Sequence, residues 1–121
     1  MQTNWPGLKD QLRPQLKNLH GGVPGVMKAF SAIAQAALAP KALGAKTKEL
    51  LVLGIAVAIR CDDCIAFHVK AAIEQGASQE ELLETLGMAI YMGAGPTVMY
   101  ASHALEAFSQ FNAKENQVLA G

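Results

Sequence analysis

The chain has 121 residues, 51% of them hydrophobic and 17% charged, a size that suits one compact domain. Ten basic residues balance ten acidic ones, with no block of like charge and no basic stripe interleaved with aromatics. That excludes the electrostatic footprint of a protein that binds nucleic acid or an anionic membrane surface.

The continuous apolar run from Leu50 to Ile59 is far too short to span a bilayer. Met1 to Pro6 lacks the basic-then-apolar order of a signal peptide. A cytoplasmic protein is expected, in a compartment that keeps thiols reduced. The apolar fraction exceeds what so small a domain needs for its own core. Part of it is expected to be covered by further copies of the chain, giving a homo-oligomer.

Ala, Leu, Met, Glu, Gln and Lys are plentiful and alternating β-branched runs are absent, so the fold class expected is all-α, with about six helices in one domain. The first helix runs from about Pro6 to Leu16 and closes at Gly21-Gly22. A second follows Pro24, with Val26, Met27, Phe30, Ile33 and Ala34 on one face, and ends at Pro40. The third begins near Thr47 as N-cap, carries Glu49 in its first turn and continues through Leu50 to Ile59. Apolar all round, it is expected to be the central buried helix.

The fourth helix starts within Cys61 to Cys64 and ends near Gln75, with Gly76 as its C′ residue. Ser78-Gln79-Glu80-Glu81 matches a capping box and opens the fifth, with Leu82, Leu83, Leu86 and Ile90 inward. Gly93-Ala94-Gly95-Pro96 breaks it, and a sixth helix runs to about Phe111. The domain thus divides into N-terminal helices at 1–46, a signature region at 47–111 and a polar tail at 112–121, expected to fray.

Cys61 and Cys64 are the only cysteines, three residues apart, with His68 four beyond. At the start of a helix all three share a face, their Cβ atoms roughly 5–6 Å apart. A disulfide between the cysteines is within reach. The helix N-terminus favours thiolate over thiol, and His68 can carry a proton. Asp62 and Asp63 stabilise the helix start, yet oppose thiolate formation.

Other readings of the same residues stay open. Free cysteines are often buried small hydrophobes. Cys61, Cys64 and His68, with Glu49 as a fourth ligand, could also hold zinc in a non-enzymatic metal-binding or assembly module. Glu49 could be a first-turn acid and nothing more. Along one straight helix it stands about 18 Å from Cys61. It could meet His68 if the fourth helix folds back across the third, and a bend at Gly54 or a neighbouring subunit could also supply the approach.

Glu49, eleven residues, then Cys61-x-x-Cys64-x-x-x-His68 resembles the signature of the alkylhydroperoxidase-D-like, or carboxymuconolactone decarboxylase, family. Ala71-Ala72, the Gly76-Ala77-Ser78 turn and Tyr91-Met92-Gly93-Ala94-Gly95-Pro96 agree with it. The likeness covers roughly Thr47 to Phe108, half of the chain. It implies a small helical domain assembled into trimers or hexamers. It implies reduction of a peroxide or disulfide, with attack by Cys64, resolution by Cys61 and a proton relay of Glu49 and His68. Reducing equivalents would come from a thiol or dithiol, in some members a lipoyl group on a protein, with no metal, haem or flavin. Asp63 departs from the pattern, since hydroperoxidases of this kind often carry histidine there. Members named for decarboxylation lack the cysteine pair.

Overall fold

The structure, a computed structural model, describes the backbone of residues 3–120 and the side chains of residues 3–114. Among these residues it is all-α, with five helices: α1 (Trp5–Gly22), α2 (Pro24–Leu38), α3 (Ala45–Ala58), α4 (Asp62–Glu74) and α5 (Gln79–Ala120). The core lies where α3, α4 and α5 pack on one another. Leu53, Val57, Ile65, Val69, Leu82 and Leu86 fill it, among small alanines that let the helices approach closely. α1 lies against α4 and α5, and α2 bridges from α1 to α3.

The N-terminal helix is held by its first turn. The Asn4 side chain accepts a hydrogen bond from the Gly7 N–H, and Pro6 occupies an early helical position. Trp5 is buried, and its indole N–H donates to Glu106 at 2.7 Å while its backbone N–H donates to Gln110 at 2.8 Å. α1 runs past the expected end near Leu16 and contains Pro14. Asp10 and Pro14 are both exposed, so the carbonyl deprived of its N–H partner by the proline can bond water.

α3 begins earlier than Thr47, with Gly44 as N-cap and no side-chain cap. Lys48 ties α3 to the end of α2: its ammonium donates to the carbonyls of Ala37 and Ala39, at 2.8 and 2.6 Å. These are among the carbonyls that the end of α2 leaves unpaired.

Two turns of one design place the site. After α3, Arg60 takes the left-handed conformation at φ 63°. Its N–H bonds to Val57 O, and that of Cys61 to Ala56 O, at 3.2 and 2.9 Å. After α4, Gly76 does the same at φ 86°, with Gly76 N–H to Ile73 O and Ala77 N–H to Ala72 O. Both are Schellman closures. Glycine announces the second in the sequence; arginine hides the first.

The capping box forms as expected. Ser78 Oγ accepts from the Glu81 N–H at 3.1 Å, and a Glu81 carboxylate oxygen accepts from the Ser78 N–H at 2.9 Å. Ser78→Ala is expected to lower unfolding stability by about 1 kcal/mol. Lys46, 2.9 Å from Glu81, and the Ser78 N–H together hold the Glu81 carboxyl below its ordinary value of 4.5. A folded-state pKa that is depressed adds stability above the ordinary value and loses it as pH falls through the folded one. The urea midpoint should therefore fall more steeply with acidification below about pH 5 in the wild type than in Glu81→Gln.

The expected fifth and sixth helices are the two limbs of α5. They meet at Ala94, whose φ of 59° and ψ of −145° are non-helical, just before Pro96. That region is nearly reserved for glycine and strains a residue with a Cβ by about 1–3 kcal/mol. Ala94→Gly should raise stability by about 1 kcal/mol, read as a higher denaturant midpoint. A lower midpoint would show that the kink carries no such strain. Beyond Asn112 the expected frayed tail is instead helical as far as Ala120, and residue 121 lies outside the described residues.

The largest departure concerns burial. α2 has no buried residue, and its apolar face of Val26, Phe30 and Ile33 stands in solvent. α3 buries Glu49, Leu53, Ala56 and Val57 but exposes Leu51, Ile55 and Ile59. On α5, Met88, Met92 and Tyr91 are exposed, the last to 80%. Apolar periodicity marks a face that avoids water, but not whether its own chain or another covers it. Among the described residues no helix is long and apolar enough to cross a membrane.

Candidate functional site

Cys61 is the N-cap of α4, and Cys64 stands in the first turn. The Cys61 sulfur accepts a hydrogen bond from the Cys64 N–H at 3.2 Å. The Schellman closure after α3 fixes the Cys61 backbone, so the first sulfur is held from both sides. The two cysteines are joined as a disulfide, with Cα atoms 5.2 Å apart. That separation is ordinary for a disulfide. Both residues are half-buried, at the helix end whose free N–H groups stabilise a thiolate once the bond opens.

His68 follows one turn on. Its Nδ1 lies 2.8 Å from Glu49 Oε2. Glu49 comes from α3, 19 residues earlier, and is only 8% exposed. The turn at Ile59-Arg60-Cys61 folds α4 back along α3, the route by which the two can meet. An ionised carboxylate only accepts, so the imidazole donates through Nδ1; in the neutral ring Nε2 then carries the lone pair. The Glu49 carboxylate thereby fixes the ring's tautomer and orientation, as a buried acid commonly does for a working histidine.

The structure separates the two aspartates that trouble the sequence. Asp63 is exposed, where water screens its charge. Asp62 is engaged: its Oδ1 lies 2.8 Å from His103 Nδ1, on α5. His103 in turn packs near Tyr100 and Trp5, with ring centroids 4.9 and 5.8 Å away. Sequence reasoning assigns His103 no neighbour, because 41 residues separate it from Asp62 and no local pattern links them. His20 is exposed at the end of α1.

A cleft of about 410 Å³ reaches the Glu49–His68 pair, walled by Lys9, Leu38, Phe67 and Lys70. Phe67 and Lys70 flank His68 on α4, whereas Lys9 comes from α1 and carries no signal in the sequence that would place it here. Among the described residues no group of three His, Cys, Asp or Glu is arranged to hold a metal ion. With both sulfurs bonded to each other, the metal-binding alternative has no ligand set in this oxidised form.

Comparison with known proteins finds relatives by sequence and by fold. The profile of the carboxymuconolactone decarboxylase family matches residues 24–107. An uncharacterized protein of Cupriavidus necator is 40% identical over 93% of this chain and 100% of its own length. One from Haemophilus influenzae is 36% identical over 90% and 96%. A carboxymuconolactone decarboxylase family protein from Legionella pneumophila has a crystal structure superposing with TM-score 0.85 at 47% identity, covering 88% of this chain and 96% of that one. A family protein from Thermotoga maritima, described with a conjectured involvement in antioxidative response, superposes at TM-score 0.78 and 28% identity, over 88% and 94%. With the profile matched over residues 24–107 and a relative 40% identical over 93% of its length, the chain belongs to the carboxymuconolactone decarboxylase family.

Proposed function

We propose that the protein is a thiol-dependent oxidoreductase that reduces peroxides or disulfides through Cys61 and Cys64. The observation that carries this reading is a disulfide at a helix N-terminus, one turn before a histidine oriented by a buried acid. The family match supports it, and so does the conjectured antioxidative role of the Thermotoga relative. Decarboxylation draws no support from these residues.

In the reduced protein Nε2 of His68 takes the Cys64 thiol proton; the thiolate attacks a peroxide oxygen, giving a sulfenic acid and an alkoxide that takes that proton from His68. Cys61 then attacks the Cys64 sulfur, forming the disulfide and releasing water. With a disulfide substrate, Cys64 forms a mixed disulfide and expels one thiolate. Cys61 expels the second. His68 returns protons through Nε2, and Glu49 holds it in position. An external dithiol, such as a lipoyl group on a partner protein, reopens the pair and becomes a disulfide itself. Asp63, in place of histidine, removes a proton donor beside Cys64 and shifts the balance toward thiol–disulfide exchange. No metal, haem or flavin enters these steps.

The setting that suits this chemistry is the reducing cytoplasm. The bare apolar faces of α2, α3 and α5 fit a homo-oligomer, a trimer or hexamer, and sedimentation of the purified protein reads its mass directly. Mass spectrometry after diamide and then dithiothreitol tests the redox pair. Reversible loss and gain of two hydrogens is expected, together with turnover of a small peroxide or an aromatic disulfide. A tightly held stoichiometric metal that blocks both thiols would sink the reading.

A further inference from the structure

The residues beside the cleft over Glu49 and His68 also serve a second one: Lys9, Lys70 and Glu74 border an adjoining hollow of about 340 Å³ between α1, α4 and the far limb of α5. Four cations line this hollow, Lys9, Arg13, Lys70 and Lys114, against two acids, Asp10 and Glu74. The chain as a whole carries formal net charge +0, so this concentration of positive charge is local.

The charges are also poorly matched. Glu74 is occupied by Lys70, 2.6 Å away. Among the described residues Lys9 and Arg13 form no ion pair, and the Lys9 ammonium instead faces the Phe67 ring, 5.3 Å from its centre. Burial, with repulsion from Arg13 and Lys70, holds the Lys9 amine below its ordinary value of 10.5, despite Glu74 and Asp10. A half-buried cation crowded by cations is stabilised by any anion that enters. The apolar walls, Phe67 and Leu38 on one side and Ile73 and Phe111 on the other, suit an aromatic or aliphatic body behind that anion.

We propose that the adjoining clefts are a substrate subsite for a small disulfide or peroxide bearing a carboxylate, which Lys9 and Arg13 hold while its reactive bond reaches Cys64. This deepens the redox reading and rests on it for the word substrate, but the anion site itself does not. His68, which lines the first cleft, follows Cys64 by one turn of α4, and this is the link between the clefts and the sulfurs.

The test is binding to the oxidised protein, which has no free cysteine among the described residues and so cannot exchange with a disulfide. Calorimetry at low salt compares bis(4-carboxyphenyl) disulfide with its neutral bis-carboxamide. The carboxylate compound should bind at least about tenfold tighter, with the preference shrinking at high salt as charges are screened. Lys9→Ala/Arg13→Ala should cut that preference severalfold, Lys9→Arg/Arg13→Lys should keep most of it, and Lys28→Ala, on α2, should leave it intact. Equal affinity for the two compounds, or a preference that survives Lys9→Ala/Arg13→Ala, overturns the proposal. Turnover of the neutral bis-carboxamide by the reduced protein tests the redox reading separately, because no charge enters that measurement.

Discussion

Cys64→Ser is expected to abolish turnover of both peroxide and disulfide, a loss of at least about 10³-fold, because a serine hydroxyl is a far weaker nucleophile than a thiolate. Cys61→Ser should behave differently. The attack by Cys64 survives, so one equivalent of substrate reacts and the protein stalls as a sulfenic acid or mixed disulfide. A single burst without turnover, with the adduct mass on Cys64, is the expected record. Among the described residues the one N–H that bonds a sulfur goes to Cys61, the N-cap of α4, which favours a thiolate there, so the assignment of the attack to Cys64 rests on the family resemblance and these two variants test it. A Cys61→Ser protein that accumulated no adduct, beside a Cys64→Ser protein that did, would reverse the two roles. Full turnover in either serine variant would sink the dithiol mechanism.

The second large effect concerns the Glu49–His68 pair. His68→Gln should lower kcat/KM by about 10²–10³-fold, the usual yield of a positioned proton carrier. Glu49→Gln should cost less, about 10- to 100-fold, since it acts through the imidazole. The informative variant is the double one. If Glu49 works only by orienting His68, the double variant is no slower than His68→Gln alone, because residues acting as a unit are not additive. Independent losses that multiply would mean that Glu49 has a separate role. The 2.8 Å contact and the burial of Glu49 predict the first outcome.

Much of this site is legible in the chain itself. The cysteine spacing, the helix start at Cys61 and the position of His68 one turn on depend on residues within a single short segment, and the structure places them as the spacing requires. The Gly76 closure and the Ser78–Glu81 box are read in the same way, from side chains that bond their own neighbours. The closure at Arg60 is not, because the residue there gives no hint of a left-handed backbone. Nor does periodicity find Glu49; resemblance to a family singles it out, and only the fold shows what it touches.

The sequence by itself determined the helical class, the element order and the redox-capable triplet, because each follows from interactions within a few residues along one chain. Tertiary structure alone decided that Glu49 orients His68, that His103 takes up Asp62, and that Lys9 joins Lys70 above the site. It also decided that the apolar stripe of α2 and part of that of α3 stay uncovered. A 3.6-residue period says which side of a helix avoids water. It carries no information about which distant segment, or which other molecule, will stand against that side.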